Sequence, residues 1–473
     1  MEHPAQYRGR QVVILGLARS GVAVAKLFHE NGAVVAVNDK KERHLCPEAD
    51  ELEALGISVV CGSHPEGLVH EGVALVVKNP GIPYTIEPVK RAVELGIEVV
   101  TEVEVAYHIC KAPMIAITGS NGKTTTTTWT GLMLEAGGLK PIVAGNIGRA
   151  LTEAALEAEA DNRMVVELSS FQLKGTRAFR PAVGALLNVY ETHLDYHGTM
   201  DDYVVSKTKL FANQTEADTA VLNWDDPVCR QTADAIRSSV LPFSVREELA
   251  YGLFVQPPLA AGGEDTVHTI VYRDKDGQAH RILSVRELGI PGSHNVENAL
   301  AASAMAVASG VKLETIARVL KEFRGVEHRL EFVAQKGDVF FYNDSKATNP
   351  TATIKTVESF KQDIVLIAGG LDRGSDYMEL LPAFQSRVKA LVAFGETKEK
   401  IVRVAHLAGM SRIKTVDTAA KGARGTVEEA VREAQALAKP GDVVLLSPAC
   451  ASWDMFSSYE ERGSMFKESV HNL

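Results

Sequence analysis

The chain has 473 residues, a formal net charge of -10, 45% hydrophobic and 23% charged residues. That balance is ordinary for a globular protein, and the length allows roughly two to four domains with sizeable cores. An acidic chain with a pI near 5.8 argues against a nucleic-acid surface. Five cysteines without CxxC spacing fit a reducing cytosol and carry no zinc signature. The polar opening MEHPAQYRGRQ lacks the apolar segment of a signal peptide. No apolar run approaches the ~18 residues a membrane helix needs. A cytoplasmic protein with no membrane partner is therefore expected, with a monomer as the default for a state the sequence leaves open.

Residues 1–111 read as a first α/β domain. Strands are predicted at 11–15, 33–37, 57–60, 75–77 and 97–100, with a helix at 22–31. The turn Gly16-Leu17-Ala18-Arg19-Ser20-Gly21 resembles a dinucleotide-binding fingerprint with Ala18 in place of its second glycine. Asp39, at the end of the second strand, is placed to take a ribose or similar hydroxyl group. Alone, this turn fits a nicotinamide site, a bare strand–helix turn, or a site for the diphosphate of a nucleotide-linked substrate. A rigid loop, Lys78-Asn79-Pro80-Gly81-Ile82-Pro83, follows the fourth strand.

Residues 112–327 contain the strongest signal. A buried strand at 114–117 runs into Gly119-Ser120-Asn121-Gly122-Lys123-Thr124-Thr125 and then a helix. A glycine loop at a helix start turns backbone N–H groups and the positive dipole end toward one point. Lys123 supplies a point charge for phosphate, and Thr124 a hydroxyl suited to Mg²⁺. Only Ser120 and Asn121 separate Gly119 from Gly122-Lys123, so this is a shortened relative of the usual P-loop. Glu167 closes the apolar run MVVEL, at a strand end where a carboxylate can meet the same metal. His193 lies in a loop beyond a strand predicted at 183–189, and a helix is predicted at 200–211. On spacing alone Lys207 and Lys209 read as solvated helix lysines. Residues 228–285 alternate weakly, with an exposed loop at 260–265. A helix at 296–309 follows, with Asn295 as its cap.

Residues 328–473 repeat the strand–helix alternation, with strands at 339–342, 364–368, 390–394 and 442–446. Each ends in a polar or glycine-rich loop, which predicts another doubly wound sheet with its functional groups at one edge. Lys346 and Arg373 lie in such loops and suit carboxylates or phosphates. Cys450 has no histidine arranged with it and reads as a small buried thiol. The expected class is thus α/β in three domains: Rossmann-like, P-loop-type ATPase with a mostly parallel sheet, and Rossmann-like again.

Together, GSNGKTT, Glu167 in ELSSFQL, His193 in THLD, HNVEN at 294–298 and His328-Arg329 resemble the Mur ligases. NDSKATNP at 343–350 and SPACASWDMF at 447–456 are similar to the branch that adds D-glutamate to UDP-N-acetylmuramoyl-L-alanine. The resemblance implies an ATP-dependent ligase of peptidoglycan precursor synthesis. The substrate carboxylate becomes an acyl phosphate, which the D-glutamate amine attacks to release ADP and phosphate. It implies that Gly119, Ser120, Asn121, Gly122, Lys123, Thr124, Thr125, Asn298, Arg329 and Asp344 surround ATP. Thr124 and Glu167 hold one Mg²⁺; His193 and a CO₂-derived carbamate on Lys207 hold a second. Lys346 lies near the γ-phosphate and the incoming amino acid, and with Thr348, Arg373, Ser452 and Tyr459 it binds D-glutamate. Arg19, Ser20, Asp39, Asn79, Gly81 and Asn146 fall at the UDP-substrate. Arg373 and Tyr459 depart from the lysine and phenylalanine of the pattern. A sister ligase, or one of the folylpolyglutamate synthetase type, is the alternative.

Overall fold

Runs of β-branched residues build three separate sheets, all described in a computed structural model that covers residues 1–473 apart from Gly148, Glu264 and 418–420, with Asp195 described by its backbone alone. Gly148, in the turn after β7, and one residue of the 260–265 loop therefore lie outside the described residues. In the first sheet, β1 (Gln11–Leu15), β2 (Val34–Asp39), β3 (Ser58–Cys61), β4 (Val73–Lys78) and β5 (Val99–Val100) run parallel in the order β3-β2-β1-β4-β5. Val12, Val13, Ile14 and Leu15 are all buried. A parallel strand covered on both faces is apolar throughout, and this one reads so. The helix Arg19–Glu30 packs Val24, Leu27 and Phe28 into the same core. Its tight entry depends on Gly21, where a Cβ would lie 2.0 Å from the Gly16 carbonyl oxygen.

The second sheet is larger. Its strands are β6 (Met114–Thr118), β7 (Lys140–Gly145), β8 (Asn162–Glu167), β9 (Val183–Leu186), β10 (Thr219–Asn223), β11 (Ser239–Ser244), β12 (Gly252–Gln256), β13 (Thr269–Arg273) and β14 (Ala279–Ser284). The order is β7-β8-β6-β9-β10-β11-β12-β13-β14, parallel as far as β12 and antiparallel beyond it. The polar alternation of 228–285 thus folds into four more strands, β11 to β14, the last two forming a hairpin at the sheet edge. β9 stops at Leu186, so residues 187–193 form a loop rather than the end of a strand. The predicted helix at 200–211 is the α-helix Met200–Thr208 followed by a 3₁₀ turn, Lys209–Phe211.

The third sheet contains β15 (Glu331–Lys336), β16 (Val339–Asn343), β17 (Ile364–Gly369), β18 (Val388–Phe394), β19 (Ile413–Thr415) and β20 (Val443–Leu446) in the order β15-β16-β20-β17-β18-β19. Only the β15–β16 pair is antiparallel. The chain divides into two compact units: Met1–Glu287 with Val296–Lys321, and Leu288–Asn295 with Glu322–Leu473. The first contains two sheets, joined partly through buried carboxylates. Glu102 accepts the Thr152 N–H, and Glu104 accepts N–H groups from Arg177, Ala178 and Phe179. Among the described residues no helix is long and apolar enough to cross a membrane.

Candidate active site

In the second sheet β6 is central, flanked by β8 and β9, so the loop at its carboxyl end opens at a topological switch point. Glycine is required in that loop. Gly122 has φ +84, and a Cβ there would meet Asn298 Oδ1 at 2.2 Å. Side chains of the loop after β9 and of the helix Met200–Thr208 fix the rest: Asn121 N–H donates to Asn188 Oδ1 (2.9 Å), and Ser120 Oγ lies 2.9 Å from the Tyr203 hydroxyl. The helix Lys123–Ala136 starts directly after Gly122, which aims its N-terminal dipole at the loop.

Two lysines converge here. Lys123 Nζ donates to the carbonyls of Gly119 (2.8 Å) and Ser120 (3.1 Å), and Lys207 Nζ reaches the same Gly119 oxygen at 2.9 Å. Lys207 is 1% exposed, against its reading as a solvated helix lysine. Burial, with repulsion from Lys123, holds its amine well below the usual lysine range. No carboxylate among the described residues pairs with it. Its Nζ lies 4.7 Å from the centre of the Tyr203 ring. Lys209, by contrast, caps backbone: its Nζ donates to the carbonyls of Lys174 and Thr176.

The acidic side of the site is Glu167, the last residue of β8, beside the loop. Asn146 Nδ2 donates to its Oε1 at 3.0 Å, while its Oε2 is buried without a hydrogen-bond partner. A buried polar oxygen left without a partner is expensive. A divalent cation held by this oxygen, the Thr124 hydroxyl and substrate phosphates would satisfy it, so the residues present fit Mg²⁺. Among the described residues no three His, Cys, Asp or Glu side chains gather as a ligand set; Mg²⁺ that keeps water and phosphate ligands needs none. His193 takes φ +58, and its ring sits 5.0 Å from Phe171 and 6.4 Å from Tyr203 between centres. Lys207 and His193 therefore share Tyr203 as a neighbour.

At the first sheet, the loops after β1, β2 and β4 meet. Leu17 N–H donates to Asp39 Oδ2 (2.7 Å), and Ser20 Oγ donates to Asn79 Oδ1 (3.0 Å). Arg19, at the start of the helix Arg19–Glu30, and Gly81, in the loop after β4, lie exposed. Asn146 belongs to the second sheet's loop set, through its bond to Glu167.

The second unit contains its own group of polar loops. Lys346 Nζ lies 5.5 Å from the Tyr459 ring centre, and the Arg373 guanidinium 5.0 Å from that of Trp453. Lys346 N–H bonds the His328 carbonyl, and Thr348 N–H the Lys346 carbonyl. Ser452 is buried. Asp344 is turned inward. It accepts Leu330 N–H, the Thr356 hydroxyl and the Ser447 hydroxyl, and burial pushes its carboxyl up to about 6. Arg329 follows directly on His328, a residue at φ +62. The expected cap at Asn295 is not one: the helix begins earlier, as Ser293–Ala308, and Asn295 Nδ2 donates to the Pro291 carbonyl. Cys450 is a buried thiol between Thr397 and Tyr377, raised by burial, as its sequence context suggested.

Comparison with known proteins accounts for nearly all of the chain. Three family models match in order: "Mur ligase MurD-like, N-terminal domain" over residues 10–101, "Mur ligase middle domain" over 117–306 and "Mur ligase, glutamate ligase domain" over 328–450. A protein of Geobacillus sp. (strain WCH70) named UDP-N-acetylmuramoylalanine–D-glutamate ligase is 48% identical over 474 residues, covering 100% of both chains. One of the same name from Geobacillus kaustophilus is 49% identical, over 99% of this chain and 98% of its own. The chain belongs to the Mur ligase family. Among solved structures, MurC of Thermotoga maritima aligns with TM-score 0.57 at 19% identity, over 98% of this chain and 99% of its own. MurF of Acinetobacter baumannii aligns with 0.58 at 19% identity, over 92% and 91%. At that identity they are like this chain in fold.

Several residues of this Mur ligase's site escaped the sequence reading. Asn188 was placed in a strand, yet it holds Asn121 from a loop. Arg462, fully buried, donates to Ser345 Oγ and to the carbonyls of Ser345 and Cys450, so it ties the NDSKATNP loop to the SPACASWDMF loop. Burial lowers its guanidinium to about 10. Nothing in its surface-like context, YEERGS, signals this. Lys78 could have been noticed, as a lone charge closing the apolar run VALVV.

Proposed function

We propose that this chain joins D-glutamate to UDP-N-acetylmuramoyl-L-alanine with ATP, a step of peptidoglycan precursor synthesis in the cytoplasm, and acts as a monomer. The observation that carries the reading is full-length likeness, near 48% identity, to proteins named for that reaction. Residues 1–111 bind the UDP-substrate through Arg19, Ser20, Asp39, Asn79 and Gly81, with Asn146 near its sugar. Residues 112–327 bind ATP, and 328–473 bind D-glutamate.

In this reading the loop N–H groups of Gly119–Thr125 and the Lys123 ammonium bind the β/γ-phosphates, and Asn298, Arg329 and Asp344 complete the nucleotide site. Lys123 turns from the Gly119 and Ser120 carbonyls to phosphate oxygen when nucleotide enters. Thr124 and Glu167 would hold one Mg²⁺. His193 and carbamylated Lys207 would hold a second. Mg²⁺ supplies charge neutralisation for phosphoryl transfer to the substrate carboxylate. The carbamate forms by attack of the neutral Lys207 amine on CO₂ with loss of a proton. A buried amine without a carboxylate partner suits that chemistry, because the product anion then faces Lys123 and metal. Lys346 holds the acyl phosphate and the incoming amino acid together. Thr348, Arg373, Ser452 and Tyr459 hold D-glutamate, with Arg373 able to grip a carboxylate bidentately.

A phosphate-release assay with both substrates tests this. Release dependent on UDP-N-acetylmuramoyl-L-alanine and D-glutamate together is expected. Release only with L-lysine or meso-diaminopimelate would replace it by a sister ligase, and ATP binding without turnover by a binding module.

A further inference from the structure

Lys78 ends β4 and is 1% exposed, yet no carboxylate pairs with it among the described residues. Its Nζ donates to the carbonyls of Ile82 (2.7 Å), Pro80 (3.1 Å) and Asn79 (3.3 Å), and lies 3.1 Å from the Tyr196 hydroxyl. The Tyr196 hydroxyl in turn donates toward Pro80 (3.0 Å) and Ile82 (3.3 Å). The Tyr84 ring centre lies 4.7 Å from the same ammonium. Burying a lysine amine without a counter-ion is unfavourable, here lowering its pKa to about 7, and a methionine would fill the space at lower cost. What the ammonium adds is a three-carbonyl grip on the loop after β4, plus a tie to a segment of the second sheet.

That segment is the one that carries His193. The His193 carbonyl accepts the N–H groups of Tyr196 and His197. His197 Nδ1 bonds Asp202 (2.6 Å), which also takes Lys174 Nζ (2.7 Å), and Asp202 sits on the helix Met200–Thr208 that bears Lys207. Hydrogen bonds linked by short covalent stretches of chain therefore run from the loop Asn79–Ile82 to the residues read as metal-binding.

We propose that Lys78 and Tyr196 form a clip of positioning residues that fastens the UDP-substrate loop to the His193 segment. The clip sets where the substrate carboxylate lies relative to the phosphoryl donor. It rests on the reading of Asn79 and Gly81 as part of the UDP-substrate site.

The test compares the full-length variants Lys78→Met, Tyr196→Phe, their double mutant and Asn79→Ala in steady-state assays with each substrate varied. Lys78→Met should raise KM for the UDP-substrate about tenfold, the scale of one hydrogen bond to a charged group. KM for ATP and D-glutamate should stay within about twofold, and the double mutant should be little worse than Lys78→Met, since both act through one clip. The thermal midpoint of each variant is recorded beside the kinetics, to establish that the variant compared is folded. Unchanged KM for the UDP-substrate in folded Lys78→Met, or an equal rise for all three substrates, overturns the clip. If Lys78→Met does not fold, Tyr196→Phe decides by the same criterion. Asn79→Ala separates the two ideas: a raised KM there with none in Lys78→Met sinks the clip alone, and no effect in either sinks both.

Discussion

Gly122 shows how a single missing Cβ shapes this site. Its φ of +84 and the 2.2 Å approach to Asn298 Oδ1 leave room for hydrogen alone. The left-handed conformation costs an L-residue about 1–2 kcal/mol, and Asn298 must move as well. Gly122→Ala should therefore raise KM for ATP at least about tenfold, measured by initial rates. Lys207→Ala should lose most activity. Added acetate or propionate, able to place a carboxylate in the vacated space, should restore part of it; wild-type turnover in the variant would refute the carbamate. Asp344 gives a pH effect of definite sign. Its folded pKa, about 6, lies above its ordinary 3.8, so between these values the folded state binds more protons. Stability should fall by about 2–3 kcal/mol as pH rises through that window. Asp344→Asn should flatten that part of the slope, seen as wild-type and variant urea midpoints compared at pH 4 and pH 7. Gly122 was legible in the sequence through the spacing of the phosphate loop, whereas Lys207 and Asp344 were singled out only through the family resemblance. Their burial was not legible: Lys207 and Asp344 look like any surface lysine and aspartate in a linear chain.

Elements were legible where a strand is covered on both faces. β1, β6, β17 and β20 are near-continuous apolar runs, and their predicted limits differ from the observed ones by a residue or so. The strands that were missed are β11 to β15 and β19. β13, β14, β15 and β19 lie at or next to sheet edges, where one covered face suffices and polar residues interrupt the pattern, whereas β11 is interrupted by Pro242 and β12 is a short apolar run, Leu253–Val255. Residues 187–189 failed in the opposite sense: apolar Leu187 and Val189 suggested more strand, but the chain leaves the sheet to let Asn188 support the phosphate loop. Arg462 acts at this scale, because it joins two loops that belong to different strands. Arg462→Lys cannot reproduce its four bonds. It should lose about 2–4 kcal/mol of stability and raise KM for D-glutamate, measured by denaturant unfolding and by kinetics.

At the scale of the molecule, each compact unit has cores of its own. The second unit packs one cluster around Leu366, Leu391 and Leu445 and another around Val365, Val392 and Phe466, on the two faces of its sheet. A fragment of residues 322–473 should therefore fold by itself, with a cooperative thermal transition in calorimetry, and show no ATP-dependent phosphate release. From the sequence alone came the three α/β series, the phosphate loop and the family. All three depend on local order: strand periodicity, glycine spacing and residue type within a few positions. Tertiary structure alone decided which groups meet. Lys123 and Lys207, 84 positions apart by number, share the Gly119 carbonyl. Glu167 Oε2 is left buried and unsatisfied, and Lys78 reaches across to Tyr196. Such encounters arise where parallel strands end at a common edge, and the distance between two strands in a sheet is not written in their separation along the chain.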